Sequence, residues 1–302
     1  MRGNAFRDLG LCGLAVIAAS TLAAAPPAAA PVVPSAALTT AFVKVETGVT
    51  LQYVVQGDPK GPVIVLLHGA GDSWHSWDLV LPRLSKTYRT YAITLRGHGL
   101  SDHPAQGYSR GEFAADITSF LKKMDLRGVT LVGHSLGSFV AQVVAENDGD
   151  GRIARLVLIG SGPGAPRDPS KPSELSSYFA SVKDPIDYQF ARDFQAGTAF
   201  TPLPPAFLET MIGEVQRVPA VMFHELASGL TDPQAVEKLK RIKVKTLLFW
   251  GTQDSMFSKK DQEGLLAIVA GSRLITYPDT GHALHWEKPA AFTRDLTAFM
   301  TK

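Results

Sequence analysis

A serine, an aspartate and a histidine each follow a short apolar run of the chain. Ser135 follows VTLVGH, Asp254 follows TLLFWGTQ, and His282 follows RLITYPDTG. A serine hydroxyl is a weak nucleophile near neutral pH until a base removes its proton, and that base needs an acid to orient it. The three residue types in this order predict covalent catalysis, with Ser135 as the nucleophile, His282 as the base and Asp254 as the acid.

The segment GHSLG around Ser135 has the Gly-x-Ser-x-Gly pattern of a nucleophile elbow. Apolar VTLV precedes it and the helical pattern SFVAQVVAEN follows it, so a strand should turn sharply into a helix at the serine. Glycines are needed on both sides because a side chain there would collide with the neighbouring strand and helix. The turn presents the hydroxyl beyond the sheet edge, and it predicts that the N–H of Leu136 donates to a developing oxyanion.

Two aspartates compete for the role of the acid. Asp254 and Asp279 both come directly after a predicted strand. Asp279, however, is so close to His282 in the chain that it cannot easily orient the imidazole. We therefore predict Asp254 as the acid, and we expect the nearby His285 to pack beneath the histidine loop.

The second oxyanion donor is expected in the loop HGAG, which follows the apolar run VIVLL. The first glycine of this loop lets the backbone approach a reacting carbonyl. The N–H of Ala70 is the predicted donor, and the N–H of Gly71 is the alternative. His68, which opens the loop, is predicted to bond to the backbone and fix the loop rather than to react. The same structural role is predicted for His98 and His134.

Short runs rich in Val, Ile and Leu alternate with helix-length stretches along most of the chain. A hairpin is predicted over residues 42–56, with its turn at Thr47-Gly48. Six further strands are predicted at Val63–Leu67, Thr90–Thr94, Val129–Val132, Leu156–Ile159, Thr246–Trp250 and Arg273–Tyr277. Helices are expected at about 76–85, 110–124, 136–147, 259–269 and 289–300. Unbroken apolar strands favour a parallel sheet with helices on both faces, which predicts an α/β domain.

The alternation stops between residues 162 and 241, where several prolines divide the sequence into short helix-length pieces. A structureless loop of this length is uncommon inside a compact domain. We therefore predict a helical cap over 162–241 and a core formed by 38–161 and 242–302. The predicted pocket residues are Trp74, Trp77, Phe179 and Met222, with plain core packing as the alternative for Trp77.

The first 30 residues have the pattern of a secretory signal peptide, with cleavage expected somewhere within 23–37. Two arginines precede the apolar stretch Leu9–Ala19, which is shorter than the ~20 residues that a transmembrane helix needs. A retained N-terminal anchor is the alternative. The single cysteine, Cys12, lies in this segment, so cleavage would leave no thiol for disulfides, catalysis or metal binding. This pattern predicts a periplasmic or secreted enzyme without a membrane span in the mature chain.

The motifs together resemble those of the α/β-hydrolase superfamily, in the cap-bearing group that includes esterases and lactonases. The matching segments are HGAGDSWHSW (68–77), LRGHGLSD (95–102), VGHSLG (132–137), FWGTQD (249–254) and GHALHWEKP (281–289). They occur in order and span almost the whole mature chain. The resemblance implies a mostly parallel eight-stranded sheet flanked by helices, with a helical cap inserted after the sixth strand.

Departures from some subfamilies narrow the expected chemistry. The epoxide hydrolases and haloalkane dehalogenases of this superfamily attack with an aspartate, whereas position 135 is a serine. Carbon–carbon bond hydrolases typically have an asparagine before the serine and a tryptophan after the histidine, whereas this chain has His134 and Ala283. The resemblance therefore implies a carboxylesterase or lactonase. A cofactor-free perhydrolase or haloperoxidase and a carbon–carbon bond hydrolase stay open as alternatives, with a receptor-like binding protein as a remote one.

The expected partner is a small-molecule ester or lactone of apolar character. The formal net charge is only +2, which gives no reason to expect nucleic acid or another polyanion. The proposed chemistry needs neither a metal nor an organic cofactor. The sequence does not indicate an oligomeric state.

Overall fold

The computed structural model describes residues 38–164, 174–229 and 232–301. The predicted signal peptide lies outside these residues. The described strands are β1 (Thr39–Lys44), β2 (Thr50–Gln56), β3 (Val63–Leu67), β4 (Arg89–Ile93), β5 (Val129–His134), β6 (Ile153–Ile159), β7 (Lys245–Gly251) and β8 (Arg273–Tyr277). They form one eight-stranded sheet in the order β1-β2-β4-β3-β5-β6-β7-β8.

The sheet is parallel except at one edge. Strands β1 and β2 form the predicted hairpin, and β2 runs antiparallel to β4. All pairs from β4 through β3, β5, β6 and β7 to β8 are parallel. The hairpin turn contains Gly48 with φ of 90°, a backbone conformation that glycine adopts without a steric penalty. The prediction of a mostly parallel eight-stranded sheet is confirmed.

The described helices fall into core helices and cap helices. The core helices are α1 (Arg110–Lys123), α2 (Leu136–Glu146), α8 (Lys259–Ile268), α9 (Leu284–Glu287) and α10 (Pro289–Met300). The cap helices are α3 (Glu174–Ala180), α4 (Tyr188–Ala196), α5 (Pro205–Val215), α6 (Ala220–Gly229) and α7 (Ala235–Leu239). The cap helices all lie between β6 and β7 in the chain, as predicted.

Both faces of the sheet are buried, which explains the unbroken apolar runs. Along β3, Val65 and Leu67 belong to one hydrophobic cluster, and Ile64 and Leu66 belong to a second one. Successive side chains of a strand point to opposite faces, so the two clusters mark the two faces. Helices α1, α2 and α8 contribute buried residues to the first cluster, and α10 contributes to the second.

One predicted core helix is wrong. Over residues 76–85 the structure has two short 3₁₀ turns, Trp74–Trp77 and Leu81–Arg83. Pro82 accounts for the break because proline lacks the N–H that would continue an α-helix and disfavours helical geometry at the residue before it. The side chain of Ser73 accepts a hydrogen bond from the His75 N–H and so begins the first turn.

Polar contacts attach the cap to the core. The Glu225 carboxylate on α6 accepts hydrogen bonds from the backbone N–H groups of Gly107 and Tyr108, at 3.0 and 2.7 Å. The backbone N–H of Ala283 donates to the Thr198 carbonyl at 2.9 Å, just after α4. The cap is therefore held at the edge of the sheet where the parallel strands end. None of the helices in the described residues has the length and apolar character to cross a membrane.

Candidate active site

Ser135 lies at the sharp turn between β5 and α2. Its φ of 50° and ψ of −118° are uncommon for a residue that carries a side chain, and such strain is found most often at functional sites. A Cβ atom on Gly133 would lie 2.2 Å from the Gly137 carbonyl oxygen. A Cβ atom on Gly137 would lie 2.5 Å from the Leu67 carbonyl oxygen. Both flanking glycines are therefore required by the close approach of strand, turn and helix.

His282 and Asp254 form the hydrogen-bonded pair that the sequence predicts. The Nδ1 atom of His282 lies 3.0 Å from Oδ2 of Asp254, and both side chains are almost fully buried. The other carboxylate oxygen of Asp254 accepts the backbone N–H groups of Met256 and Phe257, at 2.8 and 3.0 Å. These bonds hold the carboxylate at the oxygen that does not contact His282. The Nε2 atom of His282 is buried and has no hydrogen-bond partner in the part of the chain that the structure describes.

The alternative acid, Asp279, lies elsewhere. It is exposed, has φ of 51°, and its backbone N–H donates to the Thr252 hydroxyl at 3.0 Å. It therefore forms part of a surface turn between β8 and the His282 loop. The structure pairs His282 with Asp254 instead.

The two predicted oxyanion donors both lie on the same pocket as Ser135. Ala70 and Leu136 line this pocket, and among the described residues neither backbone N–H donates a hydrogen bond. The alternative donor, Gly71, already gives its N–H to Nε2 of His98 at 3.2 Å. The N–H of Ala70 is therefore the better candidate for the second oxyanion donor, because the N–H of Gly71 already has an acceptor. Leu136 also begins α2, so the partial positive charge of the helix N-terminus adds to the field there.

His68 and His98 have the predicted structural role. His68 bonds through Nδ1 to the Gly69 carbonyl at 2.7 Å, and its Nε2 accepts the Leu95 N–H at 2.9 Å. His98 likewise bonds through Nδ1 to the Arg96 carbonyl and accepts the Gly71 N–H at Nε2. Each ring can serve as an acceptor only while it is neutral. Burial and these contacts fix the loop that carries Ala70.

The pocket in front of Ser135 is lined largely by apolar side chains from the core and the cap. Its lining includes Phe139, Leu175, Phe179, Phe194, Leu226, Met256, Phe257 and Trp286. Phe179 is the one predicted pocket residue among them. Its ring also packs against Phe223 and Phe194 of the cap, with centroids 5.3 and 6.1 Å away.

The other three predicted pocket residues lie outside this lining. Trp77 is fully buried in the second hydrophobic cluster, on the face of the sheet that lies opposite the first cluster. Its ring lies 4.7 Å from that of His285 and 6.3 Å from that of Phe292. Met222 is fully buried within the first hydrophobic cluster. Trp74 is half-buried, and its ring centroid lies 3.8 Å from that of its neighbour His75 at an interplanar angle of 31°. An apolar residue next to a motif can pack into the core as well as into a pocket, and a sequence pattern alone does not separate the two.

A family model described as the alpha/beta hydrolase family matches residues 64–295. The chain belongs to this family. It is similar to a non-heme chloroperoxidase of Streptomyces lividans, at 28% identity over 85% of this chain and 98% of that protein. It is also similar to epoxide hydrolase 3 of Xenopus tropicalis, at 27% identity over 84% of this chain and 76% of that protein.

A solved structure with a similar fold is that of a putative aryl esterase of Burkholderia cenocepacia. The two chains share 26% identity with a TM-score of 0.78, over 87% of this chain and 98% of that one. Alpha/beta hydrolases with different activities therefore share this architecture.

Asp72 is a buried carboxyl group of this alpha/beta hydrolase for which the sequence predicted no role. Its Oδ2 accepts the Gly69 N–H at 3.2 Å and the Ser76 hydroxyl at 3.1 Å. Its Oδ1 accepts Nε2 of Gln195, on α4 of the cap, at 2.9 Å. Burial raises the pKa of Asp72 to about 6, although the hydrogen bonds from Gln195 and Ser76 oppose the shift. Asp72 thereby joins the HGAG loop (68–71) to the cap.

Glu287 makes a second link that the sequence motif did not explain. Its Oε1 accepts the N–H of Gly281 at 2.6 Å, next to His282. Its Oε2 accepts both the N–H and the hydroxyl of Thr201 in the cap, at 2.7 and 2.8 Å. Glu287 therefore positions the histidine loop and the cap together. Within residues 38–164, 174–229 and 232–301, no group of three or more His, Cys, Asp or Glu side chains is arranged to hold a metal ion.

Proposed function

We propose that the protein is a serine hydrolase that cleaves carboxylic esters or lactones through an acyl-enzyme. The observation that carries the proposal is the position of Ser135. It occupies a strained strand-to-helix turn on the same pocket as His282, whose Nδ1 is held by a buried Asp254. A nucleophile, a base and an orienting acid are the parts that acyl transfer requires.

The proposed reaction begins when Oγ of Ser135 attacks the ester carbonyl carbon and Nε2 of His282 takes the hydroxyl proton. Asp254 stabilises the imidazolium through Nδ1. The N–H groups of Ala70 and Leu136 donate to the oxyanion of the tetrahedral intermediate. The bond between the carbonyl carbon and the alcohol oxygen then breaks, and His282 protonates the leaving alcohol.

Water completes the proposed cycle. His282 takes a proton from a water molecule, whose oxygen attacks the acyl-enzyme carbonyl. Collapse of the second tetrahedral intermediate breaks the bond to Oγ of Ser135, and His282 returns the proton to the serine. The products are a carboxylic acid and an alcohol, or a single hydroxy acid where the substrate is a lactone.

A cofactor-free perhydrolase or haloperoxidase is the second candidate, because the similar protein of Streptomyces lividans is named as a non-heme chloroperoxidase. In that reaction, hydrogen peroxide instead of water would accept the acyl group from Ser135. The same residues would act in the same order. The similarity to an epoxide hydrolase carries less weight, because epoxide hydrolases of this superfamily attack with an aspartate and this chain has Ser135.

The test is hydrolysis of p-nitrophenyl esters from acetate to palmitate by the parent protein and by Ser135→Ala, with a fluorophosphonate probe as a covalent label. We expect turnover and a single labelled serine, Ser135, in the parent, and neither in the variant. Parallel assays with acetate, peroxide and bromide measure the second candidate. Equal ester turnover by the parent and the variant would exclude the Ser135 mechanism.

Gly160→Ala should impair catalysis by displacing the base. Gly160 follows β6 with φ of 52°, and an added Cβ atom would lie 2.6 Å from Nδ1 of His282 and 2.7 Å from its Cε1. A displacement of about 1 Å at a reacting group costs ~100-fold in rate. We therefore expect kcat for a p-nitrophenyl ester to fall by about two orders of magnitude.

Gly128→Ala is the matched control. Gly128 has φ of 64°, and apart from its two neighbours in the chain no described residue has an atom within 4 Å of the added Cβ. The left-handed conformation costs a side chain about 1–2 kcal/mol in both variants. Urea unfolding should therefore report backbone strain in both, while ester turnover should fall only in Gly160→Ala. Equal turnover by the two variants would show that the contact with His282 does not matter.

A further inference from the structure

A single guanidinium group lies on the otherwise largely apolar candidate pocket. Arg110, the first residue of α1, is the one arginine or lysine among the described residues that line it. Its Cζ atom lies 5.4 Å from the ring centroid of Phe139. Phe139 is one helical turn after Ser135 on the nucleophile helix, and it also lines the pocket. The positive charge is therefore held on the side of the pocket that α2 forms.

The guanidinium makes no hydrogen bond or ion pair within the described part of the chain. Buried arginines usually satisfy their five N–H donors with carboxylates or carbonyls. The side chain of Arg110 is only partly exposed, and burial lowers its pKa. A Cβ atom on Gly164 would lie 2.7 Å from one of its terminal nitrogens, so backbone approaches the group closely. Among the described residues, these donors therefore have no hydrogen-bond acceptor.

Helix stability does not explain an arginine at this position. The first turn of a helix carries partial positive charge and is stabilised by acidic side chains, while a cation there is unfavourable. The start of α1 is already well capped, because Ser109 and Glu112 form a reciprocal capping box. Arg110 therefore adds positive charge where the helix itself is destabilised by it.

Two acidic side chains act on Arg110 without contacting it. Asp232 and Glu146 raise its pKa through their charge, against the effect of burial. Asp232 has its own partners, since Lys238 binds it at 2.7 Å and the Gln234 N–H donates to it at 2.8 Å. These groups balance part of the charge from a distance. Neither of them occupies the N–H donors of the guanidinium with a hydrogen bond.

We infer that Arg110 binds an ionised carboxylate on the substrate, so that the preferred ester or lactone carries a second, free carboxyl group at the far end of an apolar chain. The inference rests on the proposed function. The planar guanidinium can bind a carboxylate through two parallel hydrogen bonds. A singly charged carboxylate fits better than a doubly charged phosphate because of the two acidic side chains nearby. Arg110 is a binding residue for the substrate, at a site separate from the reacting carbonyl.

The experiment compares two substrates that differ only in charge. These are the mono-p-nitrophenyl esters of glutaric and adipic acid, and the same compounds with the free carboxyl group methylated. We expect the parent protein to have the higher kcat/KM for the free acids. In Arg110→Gln the ratio of the two kcat/KM values should fall at least about ten-fold, the effect of losing a hydrogen bond to a charged group.

Two further variants separate recognition from general damage. Arg110→Lys keeps the positive charge but cannot form the two parallel hydrogen bonds. The ratio of its kcat/KM values for the free acid and the methyl ester should therefore lie between those of the parent and Arg110→Gln. Lys122→Gln removes a positive charge from the last turn of the same helix, away from the pocket, and should leave the ratio unchanged. An unchanged ratio in Arg110→Gln, or an equal fall in Lys122→Gln, would overturn the inference.

Binding gives a readout that does not depend on turnover. Monomethyl adipate should raise the Tm of the Ser135→Ala protein, and dimethyl adipate should raise it less. Adding Arg110→Gln should remove the difference between the two ligands. If the parent hydrolyses no ester but this difference depends on Arg110, the carboxylate site stands and the proposed function fails. If the ligands show no difference that depends on Arg110, the carboxylate site fails whatever the esterase assays give.

Discussion

Asp254→Asn is expected to lower kcat for ester hydrolysis by about four orders of magnitude, because it would hold His282 in the wrong tautomer. The remaining amide oxygen would still accept the N–H groups of Met256 and Phe257, which now bind Oδ1 at 2.8 and 3.0 Å. The amide N–H₂ would then face Nδ1 of His282 and donate to it. The imidazole proton would be forced to Nε2, so the ring could no longer take the proton of Ser135.

The control is Asp279→Asn, the same chemical change at the other aspartate near His282. Asp279 is exposed and has φ of 51°. Asparagine tolerates this left-handed conformation as readily as aspartate. Turnover of a p-nitrophenyl ester and the urea midpoint should both stay close to the parent values. A large loss of turnover in Asp279→Asn together with a small one in Asp254→Asn would reverse the assignment of the acid.

The fold was predictable because the strands carry an unambiguous signal. Runs such as VIVLL at Val63–Leu67 are buried on both faces, so no polar residue interrupts them. The predicted strands at Val63–Leu67 and Arg273–Tyr277 have the observed bounds, and β4 and β6 shift by only a few residues. The helix expected over 76–85 is wrong because the apolar spacing there also suits two separate 3₁₀ turns, of which the second contains Pro82. Periodicity identifies an apolar face but does not fix the helix type.

The residues of the candidate catalytic group were predictable because each sits at the carboxyl end of a strand with a recognisable turn. Parallel strands bring these ends to one edge of the sheet. Ser135 and His282 therefore line the same pocket, and Asp254 binds His282, even though the three residues are far apart in the chain. The residues that line the pocket could not be predicted in the same way. Trp77 and Phe179 look alike in sequence, yet one packs beneath the sheet and the other lines the pocket.

Side chains that depend on the position of the cap could not be recognised from spacing. Asp72 joins the core to the cap only because it accepts a hydrogen bond from Gln195, which is more than a hundred residues away in the chain. Arg110 is a candidate binding residue because its guanidinium has no hydrogen-bond acceptor in the described part of the structure. No sequence pattern indicates such a missing contact. The one available signal was an arginine at the first position of a capped helix, where a cation is unfavourable.

Four histidines around the candidate site should make the protein sensitive to acid. Burial lowers the pKa of His68, His134 and His285 well below the ordinary value, and it lowers the pKa of His98 to about 4. In the unfolded chain these rings take up protons as the pH falls through about 6.5. The folded protein takes them up only at lower pH. Stability is therefore lost as the pH falls below about 6.5.

Asp72 has the opposite effect in part of the same range. Its pKa is raised to about 6 in the folded protein from an ordinary 3.8, so the folded state takes up this proton first. Asp72 thus adds stability as the pH falls from about 6 to 4, on the order of 3 kcal/mol in all. This gain in stability offsets the loss that about one of the histidines causes over the same pH range. The four histidines together therefore still predict a free energy of unfolding that slopes downward as the pH falls from about 6.5 towards 5.

Urea unfolding at a series of pH values from 8 to 4.5 measures this slope, and His98→Asn tests its origin. The asparagine amide is neutral and can approximate both the donor to the Arg96 carbonyl and the acceptor for the Gly71 N–H. Removing this ring should reduce the slope near pH 5 by about 1.4 kcal/mol per pH unit. Equal slopes in the parent and His98→Asn would mean that this ring is already protonated in the folded protein, at odds with the N–H that its Nε2 accepts.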